Sequence, residues 1–385
     1  MNRLSGFRSH RTVGGRTARL VFGMTATSAM ALGMAGIGAG AAVADTVIDT
    51  ITVGDAPVGV AVSPLGTRVY VPNANDDTVS VINAFTNTVI DTITAGDQPF
   101  IVAVNPLGTR AYVTNRSDDS VSVIDTFTNT VIDTITVGDA PFGVAVNRDG
   151  SRVYVANAND DTVSVINAFT NTVIDTITVG NDPFGVAVNR GGSRVYVANN
   201  ADNTVSVIDT STNTVIDTIA VGSANGVAVN RDGSRVYVTN FGDGTVDVID
   251  TSTNTVVDTI TVGTQPAGVA VNRDGSRVYV TNFGDDTVDV IDTSTNTVVD
   301  TITVGDQPIR VAVNPHGTRV YVTNNADDTV SVIAVEKCLG SLCIDTGSFA
   351  GPFAGAGSAG SSGSAGAGSF AGAGAGAGST GSAGS

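Results

Sequence analysis

The chain is 385 residues long and acidic, with 19 Lys and Arg against 36 Asp and Glu and a formal charge of −17, and it contains only two His, two Cys and no Trp. A surface of that sign repels phosphate backbones at long range, which sets aside nucleic acid and anionic membranes as general partners. The length alone would suggest two or more domains, but internal repetition overrides it.

Residues 1–44 carry Arg3, Arg8, Arg11, Arg16 and Arg19, no acidic residue, and an apolar run of small side chains from Leu20 that ends Ala42-Val43-Ala44. A basic start, an apolar middle and an Ala-x-Ala site read as a secretory signal peptide cut before Asp45. The other reading, a retained anchor, is weakened by the many Gly, Ala and Ser residues of the run. Without those arginines the chain holds 14 basic and 36 acidic residues, a formal charge of −22. The expected location is secreted, extracellular or cell-surface, with no stable membrane insertion after cleavage.

Residues 45–335 are a repeat whose register is set by Tyr70, Tyr112, Tyr154, Tyr196, Tyr237, Tyr279 and Tyr321, spaced by 42, 42, 42, 41, 42 and 42 residues. In the third unit four runs alternate with period two: Phe142 to Asn147, Arg152 to Ala156, Thr162 to Asn167 and Thr172 to Val179. They are rich in Val, Ile, Thr and Tyr, and Asp-Gly or Asn-rich turns separate them, so each unit predicts four antiparallel strands. A unit of about forty residues with four strands is a propeller blade, which buries its faces only by stacking on neighbours. The prediction is an all-β, seven-bladed β-propeller. The stretch Asp45 to Gly54, DTVIDTITVG, is a fourth strand with no first three before it, and the last unit stops after Val335 where that strand is due. The N-terminal strand is therefore expected to complete the seventh blade and close the ring.

Tyr-Val-Thr-Asn stands at Tyr112 to Asn115, Tyr237 to Asn240, Tyr279 to Asn282 and Tyr321 to Asn324, with Ala or Pro for Thr in the other three units. The chain resembles the YVTN repeat family of β-propellers across residues 45–335. That resemblance implies a seven-bladed, exported or surface-layer propeller, and it carries no shared catalytic residue.

Residues 336–346 form a closing segment with Cys338 and Cys343, the only two cysteines. In an exported chain the pair reads as a local disulfide. Residues 347–385 are almost wholly Gly, Ala and Ser, with three Phe, one Pro, one Thr and no charge; such a tail cannot bury a core and reads as a tether.

His316 is the one histidine beyond the leader, so a hydrolytic triad or multi-His metal site has almost nothing to draw on. The carboxylates Asp76, Asp118, Asp160, Asp202, Asp243, Asp285 and Asp327 occupy one loop position in all seven units. They are candidate oxygen ligands for Ca²⁺ or, alternatively, hairpin-closing acceptors for backbone amides. Arg68, Arg110, Arg152, Arg194, Arg235, Arg277 and Arg319 open the second strands and are expected to pair with Asn or Asp at the end of the adjoining third strand. Breaks in the symmetry are the better ligand candidates. Arg310 and Ile101 replace the glycine of five other innermost strands, and Arg310 is the candidate ligand-binding residue. The favoured reading is a monomeric, non-enzymatic binding or scaffold module for a protein or cell-envelope component, requiring no cofactor. The alternative is a metal-assisted hydrolase at the channel mouth, resembling propeller lactonases.

Overall fold

The computed structural model describes residues 44–339 and 342–344. The signal peptide and the tail read from the sequence fall outside these residues.

Seven four-stranded antiparallel sheets stand in a ring. Blade 3 has strands Pro141–Val146, Arg152–Asn157, Thr162–Asn167 and Thr172–Thr178, within a residue of the boundaries read from hydrophobic alternation. Blade 7 takes Pro308–Val313, Arg319–Asn324 and Thr329–Ala334 from one end of the chain and Thr46–Thr52 from the other. The N-terminal strand pairs antiparallel with Thr329–Ala334, from Thr46 opposite Ala334 to Thr52 opposite Thr329. The ring is thus closed without a covalent bond, and blade 7 has no missing edge.

The alternation explains where the core lies. Each blade offers apolar side chains on both faces, so the core consists of seven slabs, one between each pair of neighbours. One slab joins Tyr112, Val121 and Val123 of blade 2 to Val153, Val155 and Ile166 of blade 3. Another joins Tyr321, Val330 and Val332 of blade 7 to Val69, Val71 and Ile82 of blade 1, with Ile51 of the closing strand. All seven tyrosines are at most 2% exposed. Outer strands are mostly solvent-facing, and each carries a bulge, as between Val81 and Ile82 opposite Asp91 and Val89. A bulged, Thr- and Asp-bearing outer strand is a poor template for pairing with another sheet.

The innermost glycines are fixed by close approach. A side-chain carbon on Gly143 would lie 2.2 Å from the Phe184 carbonyl oxygen, and one on Gly268 2.6 Å from that of Ile309. At the five glycine positions the first strands pack backbone to backbone near the axis, an approach that glycine admits.

Polar stitches join neighbouring blades. In the Tyr-Val-Thr-Asn motif, Thr281 Oγ1 accepts the Gly268 N–H at 2.7 Å and donates to the Ile309 carbonyl of the next blade at 2.9 Å. Thr114, Thr239 and Thr323 do the same for Phe142, Ala267 and Val58. Thr281→Ala should therefore cost about 1–2 kcal/mol, because it strands a buried carbonyl and amide together. Chemical denaturation of the variant against wild type measures this; an unchanged midpoint would show the stitch to be energetically idle.

Lys337–Leu339 and Leu342–Ile344 pair as a short hairpin with Cys338 opposite Cys343 in register. The side chains of the expected disulfide lie outside the described residues. Among those residues, no helix is long and apolar enough to cross a membrane.

Candidate functional site

Alternating strand direction puts the second-to-third-strand loops and the blade-to-blade loops on one face, as the repeat predicts. The seven carboxylates of the repeated loop position lie there, each on a backbone amide. Asp76 Oδ2 accepts from Asp55 N at 2.8 Å, Asp118 from Asp97 N at 2.7 Å, Asp160 from Asp139 N at 2.8 Å and Asp202 from Asn181 N at 2.7 Å. Asp243 accepts from Ser223 N at 3.1 Å, Asp285 from Thr264 N at 2.6 Å and Asp327 from Asp306 N at 2.8 Å.

The second residue of each Asp pair reaches the other way. Asp77 takes the amide of Gln98, Asp119 that of Ala140, Asp161 that of Asp182, Asp286 that of Gln307 and Asp328 that of Ala56, all at 2.9 Å. These residues have φ between 52° and 58°, a left-handed conformation that Asp tolerates better than most side chains. One Asp-Asp pair thus holds the loops on both sides of its blade, and Asp328 to Ala56 closes the circle. Among the described residues, no three His, Cys, Asp or Glu come together as a metal cluster.

The face remains crowded with charge. Asp97 is pushed above the usual carboxylate range, chiefly by repulsion from Asp118 and then from Asp77. Asp55, Asp97, Asp139 and Asp306 offer their amides to these clamps rather than their carboxylates.

The arginine row departs from expectation. Only Arg235 bonds the acid on its own third strand, Asp250, at 2.5 Å. Arg110 and Arg152 instead cross to the next blade, donating to the Ala168 and Thr210 carbonyls at 2.7 and 2.6 Å and to Asn171 and Asn213 Oδ1 at 3.2 Å. Arg68 makes the same pair of bonds to Thr126 and Asn129, and Arg319 to Ala84 and Asn87. The turn does not decide this: Asp125 Oδ1 is held by the Thr128 and Phe127 amides, which keep it below the usual carboxylate range, and Asp250, held in the same way by Ser252, still takes Arg235. The row is a set of inter-blade clamps. It fails between blades 5 and 6, where Arg235 stays on its own blade, and between blades 4 and 5, where Arg194 Nη1 and Asn254 Oδ1 are buried without partners.

Arg277 finds a residue that the sequence reading had passed over. Asp45 stands where six other units have Asn87, Asn129, Asn171, Asn213, Asn254 and Asn296. Its buried carboxylate accepts from Arg277 Nη1 at 2.9 and 3.0 Å, from the Tyr279 hydroxyl at 3.0 Å and from Glu336 N at 3.0 Å. Its own N–H donates to Asp300 Oδ2 at 3.1 Å. This single Asn-to-Asp change among seven copies was the available signal.

Near the axis, Phe100, Phe142 and Phe184 form a row of tilted rings with centroids 4.3 and 4.0 Å apart, and the Arg116 guanidinium lies 5.7 and 5.6 Å from the first two rings. Arg310 points into the channel beyond them. Its Nη1 donates to Asn225 Oδ1 at 3.1 Å and to the Ala267 carbonyl at 3.2 Å. An ion pair with a loop Asp, the alternative for this residue, is not formed among the described residues. On the opposite face, Leu65, Phe85, Leu107, Phe127 and Phe169 are 69 to 90% exposed and confined to blades 1 to 3. The later units have Ser211, Ser252 and Ser294 at the Phe position. An apolar arc of this kind is the sort of feature that marks contact surfaces.

Seven four-stranded sheets stand in the ring, one of them shared by the two ends of the described chain. The chain is a seven-bladed β-propeller. The family model described as lactonase, 7-bladed beta-propeller, matches residues 234–353, and the one described as YNCE-like beta-propeller matches 102–189 and 187–274. A solved chain titled Kuenenia stuttgartiensis hydrazine synthase is similar with a TM-score of 0.68 and 22% identity, over 73% of this propeller chain and 96% of that one. At that identity the likeness is one of fold alone. No curated protein matches the propeller chain.

Proposed function

We propose that this propeller is an exported, non-enzymatic binding or scaffold module whose acidic loop face contacts a cationic partner. The observation that carries the reading is the congestion of carboxylates on that face, dense enough for Asp97 to be pushed up by its neighbours. The paired Asp clamps hold the loops, so the outer carboxylates of Asp55, Asp97, Asp139 and Asp306 stand on a fixed frame. Such a surface steers positively charged partners and weakens with salt. Export is supported by the basic and apolar leader. A cut before Asp45 would place the new amino group against Asp300 Oδ2, the acceptor of the Asp45 N–H at 3.1 Å.

The test is retention of the ring on immobilised poly-lysine along a salt gradient. Replacing Asp55, Asp97, Asp139 and Asp306 together by Asn leaves every backbone-capping carboxylate in place and should move elution to clearly lower salt without changing the melting temperature much. Equal elution of variant and wild type would remove the acidic face as the contact surface.

A second reading, lactone hydrolysis at the channel mouth, is favoured by the match to the lactonase propeller model over residues 234–353. It would draw on Arg310. Turnover of a lactone panel with Ca²⁺ or Mn²⁺, lost in Arg310→Ala, would establish it in place of the scaffold reading.

A further inference from the structure

Two departures from seven-fold symmetry meet inside the channel. Arg310 occupies the innermost strand of blade 7 where Gly59, Gly143, Gly185, Gly226 and Gly268 stand in other blades. Asn225 occupies the position that is Phe100, Phe142 and Phe184 in blades 2 to 4, after a connection one residue shorter than the rest and lacking Pro. These two residues lie on different blades and are 85 positions apart, yet Asn225 Oδ1 accepts from Arg310 Nη1 at 3.1 Å. With the Ala267 carbonyl at 3.2 Å, Asn225 holds one corner of the guanidinium and fixes its plane.

The rest of the guanidinium has no protein partner among the described residues, and neither of its two acceptors is a carboxylate. Desolvation, with no acid to oppose it, pushes the Arg310 pKa down to about 10. A half-buried cation without a counter-charge still costs the fold some desolvation, and this one stands where five other blades have glycine. Beside it is a cavity of about 90 Å³, walled by Ile101, Phe184, Val186, Val227 and Val269 with Arg310 as its one charged side chain. It suits a small molecule with one anionic end and a short apolar body. A guanidinium fork matches the two oxygens of a carboxylate, whereas inorganic phosphate would leave most of its oxygens against valine and isoleucine.

We propose that the channel beside Arg310 binds a small organic carboxylate, its oxygens on the free N–H groups of the guanidinium and its short apolar body against Ile101, Phe184 and the channel valines. The site is separate from the acidic contact face, so its failure would leave that reading untouched.

Calorimetric titration of the full chain with sodium acetate and sodium propionate tests the proposal, with sodium chloride and sodium sulfate at matched ionic strength as the inorganic arms. Wild type should bind the carboxylates saturably, propionate at least as tightly as acetate. Arg310→Gly restores the residue of five other blades, should fold, and should weaken binding by about tenfold or more, as expected for loss of charge-assisted hydrogen bonds. Asn225→Ala, which leaves the charge but frees its plane, should weaken binding by a smaller factor and serves as the second variant. Unchanged carboxylate binding in Arg310→Gly, equal binding of chloride or sulfate by wild type, or no saturable carboxylate binding by wild type would each overturn the assignment.

Discussion

Deleting Thr46–Thr52 should lower the melting temperature of the ring steeply and drive the chain into oligomers. That strand makes every outer pairing of blade 7, from Thr46 opposite Ala334 to Thr52 opposite Thr329. It also buries Ile51 in the slab between blades 7 and 1, and the chain just beyond it gives the Val53 N–H to the Asp328 carbonyl at 2.9 Å. Without it, Thr329–Ala334 becomes an edge of unpaired backbone groups carrying the buried Val330 and Val332, a template for pairing with another chain. The loss is of the order of a domain's whole stability, ~5–15 kcal/mol. Size-exclusion chromatography and a thermal melt read the outcome; a monomer melting within a few degrees of wild type would mean that three strands suffice to close the ring.

Asp45→Ala should destabilise the ring by about 3 kcal/mol, the largest effect expected of a single side chain. The carboxylate is wholly buried, and its removal leaves Arg277 and Tyr279 without their acceptor. Arg277 keeps 33% exposure, so water recovers part of its loss. Tyr279 is fully buried and recovers nothing. Burial, and after it the neighbouring Asp45 charge, raises the tyrosine pKa above its ordinary value, so the hydroxyl stays protonated as a donor through the neutral range. Denaturation curves of Asp45→Ala, with Tyr279→Phe at about 1–2 kcal/mol and Tyr112→Phe near neutral, separate the latch from general packing. Tyr112 is the control because its buried hydroxyl has no partner. Equal losses for the two tyrosine variants, or none for Asp45→Ala, would show that Asp45 does not hold the ring closed.

The candidate site was partly legible in the residues. Arg310 and the shortened connection at Asn225 stand out in the sequence because six sister units show what is ordinary at each position. That they bond to each other does not stand out, since it depends on how far the blades lean toward the axis. Asp76 and its six counterparts could be placed on one face from strand direction alone. Which amides they hold is set by loops that lie 20 or 21 residues away in sequence. The arginine row shows the same limit in the other direction. Arg68 lies opposite Asn83 in the sheet register, which made an in-blade pair the natural expectation, yet the guanidinium crosses to Thr126 and Asn129 because the next blade brings free acceptors within reach.

By itself, the sequence determined everything with a short repeat length: four strands per blade from period-two alternation, seven blades from seven tyrosines, and closure from a fourth strand found ahead of its first three. These follow from local backbone chemistry and from counting, and neither needs coordinates. Only the tertiary structure decided which side chains face one another across a joint. Those contacts depend on the stagger and inclination of neighbouring blades, and a side chain one strand-width away can be a better partner than one directly opposite. The Asp45 latch belongs to both levels. Its substitution for asparagine is written in the chain, but its purpose is visible only where the two ends of that chain meet, around a carboxylate that the fold has closed off from water.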